Sequence, residues 1–184
     1  MPTNGSPKGT FKYLPLSIRL ETLGGVATPL VLRGTPLPAK RSEVFTTAAD
    51  NQSSVAVSLW FGESPLTRNN VKLGTFHLKG IPSAKAGASQ IRIEFTVDQT
   101  CAVIARAAIQ GSELSAEEKF APPTDLSEAS VQKLLADTES AREEDEAKLR
   151  QVEAENRANR LIKQAEERLA GGPDSKLRKC KVIT

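Results

Sequence analysis

Leu14-Pro-Leu-Ser-Ile-Arg-Leu-Glu-Thr-Leu-Gly-Gly-Val-Ala-Thr-Pro-Leu-Val-Leu-Arg-Gly34, continued by Thr35-Pro-Leu-Pro-Ala-Lys-Arg41 and Ser42-Glu-Val-Phe-Thr-Thr-Ala-Ala-Asp-Asn-Gln-Ser-Ser-Val-Ala-Val57, is the stretch that decides the fold. Leu16, Ile18 and Leu20 alternate with Ser17, Arg19 and Glu21, the period-two pattern of a strand with one buried face. Gly24-Gly25 breaks the run with a turn. A second strand, a connection carrying Pro36 and Pro38, a third strand, the polar loop Asp50-Asn51-Gln52 and a fourth strand follow. Two strand–loop–strand units of this kind place two loops side by side at one end of a sheet, a geometry suited to gripping something extended.

Around this stretch, the 184 residues carry 39% apolar and 26% charged side chains, ordinary values for a soluble protein. Aromatic content of 4% predicts an aliphatic core. The length fits one domain with an appendage, or two small domains. A net charge of +3 is too small to argue for nucleic acid as a partner, and no apolar run approaches the length of a membrane span. The first residues lack the apolar centre of a secretory signal, and the two cysteines stand far apart in sequence. Both features predict a reducing, cytoplasmic setting.

In chain order, residues 1–13 read as a disordered tail, 14–121 as an all-β domain, 122–170 as a helical segment and 171–184 as a basic, flexible tail. Ile91, Ile93, Phe95 and Val97 alternate with Arg92, Glu94, Thr96 and Asp98 in the clearest strand of the chain. Ala102 to Ile109 is expected to pair back on it as a hairpin, and a last edge strand is expected near Lys119 to Ala121. Short strands at this spacing predict an antiparallel β-sandwich. Ser127 reads as a helix N-cap, with Glu128 in the first turn where the helix dipole favours negative charge. A short helix over about 127–139 and a long one over about 141–170 are predicted, the latter rich in good helix formers and free of Pro and Gly.

A heptad seam through Leu149 and Val152 runs on to Asn156, Asn159, Lys163 and Glu166, too polar for a coiled coil. Apolar residues gather instead in two patches: Leu149 with Val152, and Ala158, Leu161, Ile162, Ala165 and Leu169. The long helix is therefore expected to touch something at intervals. The carboxylates from Glu139 to Glu146 read as a solvated face.

The blocks Glu21-Thr-Leu-Gly-Gly-Val26, Phe45-Thr-Thr-Ala-Ala-Asp-Asn-Gln52, Leu73-Gly-Thr-Phe76, Gly80-Ile-Pro82, Gln90-Ile-Arg-Ile-Glu-Phe-Thr-Val-Asp98 and Val152 through Ile162 occur in one order along the chain. Together they closely resemble the substrate-binding domain of the 70-kDa heat-shock (DnaK-type) chaperone family. The resemblance implies a β-sandwich that holds an extended peptide beneath a truncated α-helical lid. It further implies an arch of Leu23 and Ala48 over the peptide backbone, and a pocket lined by Leu20, Thr22, Phe45, Val55, Val57 and Ile91 for one apolar side chain. Thr46, Ala48 and Gly24 would meet the peptide backbone, and Asp50 with Lys163 would latch the lid. The expected partners are unfolded or extended segments with a central Leu, Ile or Val, with an ATPase domain or co-chaperone acting in trans as a further partner.

Departures from the family pattern carry expectations of their own. No Gly-rich phosphate loop is found in the sequence, so binding is expected without intrinsic ATP control, cofactor or enzymatic activity. Ala86 and Asn159 stand where the family usually has an Arg–Asp pair closing the lid. Gln99-Thr100-Cys101 replaces the usual Asp-Gly-type hairpin turn. An adaptor that binds one folded partner through the same sandwich is the competing expectation. His77 reads as structural or surface, Trp60 as a packing residue, and Cys101 and Cys180 lack the spacing of metal ligands.

Overall fold

A computed structural model describes residues 10–109, 111–123, 125–169 and 181–183. Strands β1 (Ile18–Thr22), β2 (Val26–Val31), β4 (Ser54–Phe61) and β5 (Val71–Lys79) form a four-stranded antiparallel sheet in the order β2-β1-β4-β5. Strands β3 (Ala39–Thr47), β6 (Gln90–Val97), β7 (Val103–Ile109) and β8 (Ser115–Phe120) pair antiparallel in the order β8-β7-β6-β3. A short strand β9 (Lys181–Ile183) adds to the far edge of β3, parallel to it. The described chain is thus a β+α fold of two antiparallel sheets and two helices, α1 (Glu128–Ser140) and α2 (Arg142–Leu169).

Alternation dictates which faces meet. Ile91, Ile93, Phe95 and Val97 of β6 are fully buried while Arg92 is exposed, and β7 repeats the pattern with Val103, Ala105 and Ala107. Both sheets feed one hydrophobic core: Leu20, Val55, Val57 and Leu59 from one, Phe45, Ile91, Ile93 and Phe95 from the other. Each side chain of this size contributes roughly 1.5–3 kcal/mol when removed from water. Phe76 of β5 and Phe120 of β8 tie the sheets at one side, their ring centroids 6.0 Å apart. Gly74 makes that possible, because a Cβ there would stand 2.8 Å from the Phe120 ring.

Several expectations need correction. The chain is ordered before residue 14: Phe11 N donates to Gln99 O at 2.7 Å, Leu37 N donates to Lys12 O at 3.0 Å, and Tyr13 bridges Pro36. Residues 1–9 of the expected tail lie outside the described residues. The last antiparallel strand begins at Ser115 rather than near Lys119. Its charged side chains are compatible with a strand because they sit on the solvent face, where Glu117 pairs with Arg106 of β7 at 2.6 Å. The turn at Gln99-Thr100-Cys101 closes without glycine. Asp98 Oδ1 accepts from Thr100 N, Thr100 Oγ1 and Ala102 N, and Cys101 takes the left-handed φ of 63°. Within the expected flexible tail, Lys181–Ile183 is a strand; residues 171–180 and Thr184 lie outside the described residues.

The helices follow their end signals. Ser127 Oγ accepts from Ser130 N at 3.3 Å and caps α1, with Glu128 in the first turn. Val131, Leu134 and Leu135 pack against the β core together with Leu126. Ala141 separates the helices, and the 28 residues of α2 run about 42 Å.

Candidate functional site

Two loops and one helix face make the site. The β1–β2 loop turns through Gly24 and Gly25, both with left-handed φ (86° and 75°), which glycine adopts without strain. Thr22 Oγ1 donates to Val26 O at 3.3 Å across the loop base. The β3–β4 loop is organised by Gln52, whose Oε1 accepts from Ala48 N at 2.8 Å and Ala49 N at 3.3 Å while its Nε2 donates to Ser54 O at 2.9 Å. That loop is strapped to the β5–β6 connection: Asn51 N donates to Ala84 O at 2.7 Å, Gly87 N to Thr47 O at 2.9 Å, and Ala86 N to Asp50 Oδ1 at 2.7 Å.

The residues singled out from sequence fall into two environments. Leu20, Phe45, Val55, Val57 and Ile91 are fully buried in the shared core, with Phe45 directly opposite Ile91 in the β3–β6 ladder. Thr46 is buried, Thr22 and Ala48 are half-buried, and Leu23 and Gly24 are exposed at the loop tip. Lys163 Nζ lies 3.5 Å from Asp50 Oδ1, with both side chains about half exposed. The Ala86 amide and then Lys163 hold the Asp50 carboxyl below its ordinary pKa. Ala86 meets Asp50 through its backbone, while Asn159 is exposed.

One stripe of α2 faces the loops. Asp145, Leu149, Val152, Asn156 and Lys163 are its buried or half-buried positions, four, three, four and seven residues apart. This is the seam that is too polar for a coiled coil; it lies on the β loops instead of on a second helix. Val152 packs onto Gly24, where an added Cβ would collide with Val152 Cγ1, and Asn156 Nδ2 donates to Leu23 O at 2.9 Å. The second apolar patch behaves differently: Leu161 and Ile162 stay 56% exposed and touch no core.

Asp145 is the helix contact that the sequence did not reveal. It belongs to the acidic run expected to be solvated, yet its side chain is fully buried. Its Oδ2 accepts from Ser64 Oγ at 2.6 Å, its Oδ1 from Arg68 Nη2 at 3.0 Å, and both oxygens from Asn69 Nδ2 at 2.8 Å. Burial pushes the Asp145 carboxyl up, but the hydrogen bonds from Ser64, Asn69 and Arg68 outweigh it, so its pKa lies below the ordinary range. Asp145 sits in the first turn of α2, where the helix dipole adds to this preference for the charged form. The only sequence signal was its place on the Leu149–Val152 seam.

Other candidates fall away from the site. His77 is exposed on β5. Trp60 is half-buried and donates to Glu21 Oε2 at 3.2 Å. Cys101 is buried, and desolvation followed by the charge of Asp98 pushes its thiol up to about 12. Cys180 lies outside the described residues. Among the described residues no group of three or more His, Cys, Asp or Glu is placed to hold a metal, and no helix is long and apolar enough to cross a membrane.

Two loops are thus bridged by one helix stripe, and comparison with known proteins assigns the family. The family model described as "Hsp70 protein" matches residues 12–181, and the chain belongs to the Hsp70 family. It is 41% identical over 160 residues to "Chaperone protein DnaK" of Mycoplasmopsis pulmonis (strain UAB CTIP), a match that covers 87% of this chain and 27% of that relative. The chain therefore spans about a quarter of the length of the curated relative it matches. Membership overturns the expectation of no enzymatic activity, since Hsp70 proteins are a family of ATPase chaperones.

Proposed function

We propose that this chain is the peptide-binding part of an Hsp70-family chaperone, acting on unfolded polypeptides in a cytoplasmic setting. The two sheets act as a β-sandwich and α1 with α2 as a helical lid. An extended segment with a central Leu, Ile or Val lies between the loops. Leu23 and Ala48 arch over its backbone, its apolar side chain enters a pocket of Leu20, Thr22, Phe45, Val55, Val57 and Ile91, and Gly24, Thr46 and Ala48 meet its main chain. The observation that carries this reading is that α2 is tied to both loops, to Leu23 and Gly24 on one and to Asp50 on the other. A helix held in that way covers whatever the loops enclose.

Main-chain pairing makes such recognition tolerant of sequence, and one apolar pocket makes it selective for aliphatic segments. Burying one Leu-sized side chain contributes roughly 1.5–3 kcal/mol. With backbone hydrogen bonds, and after the cost of ordering the peptide, binding near micromolar, about −8 kcal/mol, is expected. Titration of a fluorescent, Leu-centred extended peptide tests this. Saturable binding that Val55→Phe abolishes while the circular dichroism spectrum is kept supports the pocket. Absence of saturable binding, or binding indifferent to Val55→Phe in a folded variant, refutes it.

A further inference from the structure

Strand β3 has two edges. One is covered by β6 along Ala39–Thr46, in antiparallel register. The other is taken, at Phe45–Thr47 alone, by Lys181–Ile183 of the same chain, with Phe45 opposite Lys181, Thr46 opposite Val182 and Thr47 opposite Ile183. This short strand also comes within 8 Å, Cα to Cα, of β1 and β4 of the other sheet. It therefore lies at the mouth between the sheets, beside the loop that begins at Ala48. The pairing is parallel and needs no hairpin, the manner in which a separate extended peptide adds to an open sheet edge.

The segment suits that edge chemically. Val182 and Ile183 are β-branched and apolar, the residue types that favour extended strands. Reach is sufficient as well. Chain between Leu169 and Lys181 spans up to about 40 Å when extended, and α2 has already come to the β3–β4 loop at Lys163, 3.5 Å from Asp50.

We propose that Lys181–Ile183 is an internal strand that occupies the open edge of β3 and competes with extended peptides for it. As competition, this rests on the peptide-binding reading above. A segment tethered in cis is present at an effective concentration on the order of 1 mM. Held with a dissociation constant of about 100 µM, it leaves about a tenth of the sites open and weakens the apparent affinity for an added peptide about tenfold.

The test uses the full chain and its Val182→Pro variant, in which the ring removes a main-chain donor and fixes φ. Binding of the fluorescent Leu-centred peptide is expected to be about tenfold tighter in the variant; equal affinity in the two proteins overturns the proposal. Hydrogen exchange provides a readout that needs no added peptide. Amides of Lys181–Ile183 are expected to be protected in the unmodified chain and to lose protection in Val182→Pro; unprotected amides in the unmodified chain overturn the proposal. Protection that falls on dilution assigns the strand to a second copy and also overturns it. If neither protein binds peptide while those amides stay protected at every concentration, the peptide-binding reading fails and the occupation of β3 by its own chain stands.

Discussion

Replacing Asp145 by Ala separates a docked helix from one that merely lies nearby. The carboxylate accepts four hydrogen bonds, from Ser64, Arg68 and twice from Asn69, and is fully buried. Hydrogen bonds to a charged group are each worth roughly 1.5–3 kcal/mol, but those sharing one carboxylate do not add fully. Two partners also keep alternatives, since Ser64 Oγ donates to Leu66 O at 3.0 Å and Arg68 reaches Glu144 at 2.7 Å. Asn69 Nδ2 is left without this acceptor. A net loss of about 2–4 kcal/mol follows. For a chain of this size it lowers the melting temperature by roughly 5–15 °C if the helix unfolds with the β-domain. If the helix detaches alone, the loss appears as faster amide exchange along α2 with β6 and β7 still protected.

Asp145→Asn should cost nearly as much, because each carboxylate oxygen accepts two bonds and an NH₂ at either one meets donors head-on. Glu144→Ala, which touches the same Arg68 from solvent, should change little. The pH dependence has a definite sign. The folded pKa of Asp145 lies below its unfolded value near 4, so its contribution is complete above the ordinary carboxylate range and is lost as pH falls through the folded pKa. Helix protection should therefore fade in acid below about pH 4, and Asp145→Asn should remove that dependence. Unchanged melting and unchanged exchange along α2 in Asp145→Ala would refute the reasoning.

Three further outcomes test the neighbouring contacts. Lys163→Glu should speed dissociation of the fluorescent peptide in stopped-flow displacement while leaving the melting temperature nearly unchanged, because the Asp50 pair is exposed; an unchanged off-rate removes it as a latch. Gly24→Ala should destabilise helix docking by about 1–3 kcal/mol, from a left-handed φ combined with collision against Val152; urea titration with exchange at Leu149–Asn156 measures it, and neutrality contradicts the packing. Cys101 should resist iodoacetamide at pH 8 in the native chain, since its thiol is buried and pushed up to about 12. Rapid labelling mapped to Cys101 by mass spectrometry contradicts that.

How much of this was legible in sequence depended on range. β6 and β7 could be read because burial on one face imposes period-two alternation, and α1 because Ser127 announces its start. β8 was misjudged because five of its six positions face water wholly or in part, so a charged run and an edge strand look alike. Asp50 and Lys163, set 3.5 Å apart by the fold, are linked in sequence by nothing but the family resemblance. Asp145 shows the limit most clearly. Its partners lie 76 to 81 residues away, and among Glu143, Glu144, Asp145 and Glu146 nothing but spacing from Leu149 and Val152 marks the one that tertiary contact turns inward. Lys181–Ile183 gave no signal, because three residues are too few for periodicity and their partner strand is 136 residues away in register.

The contacts along α2 are graded, and the gradient orders how the helix comes away. At the base, Asp145 is a buried charge held by four hydrogen bonds. About 10 Å on at 1.5 Å per residue, Val152 is 8% exposed and packs on Gly24. Asn156 then gives one hydrogen bond to a backbone carbonyl in an exposed setting. At about 27 Å from the base, Lys163 and Asp50 form a solvated ion pair at 3.5 Å. Buried charge-assisted bonds are strong and resist salt, whereas exposed pairs contribute little and are screened by it. Release must therefore begin at Lys163 and travel toward Asp145, with the base as the last point of attachment. Added salt should loosen the distal half of α2 while the Asp145 end stays protected. Exchange that accelerates uniformly along the helix, or first at its base, is incompatible with the gradient.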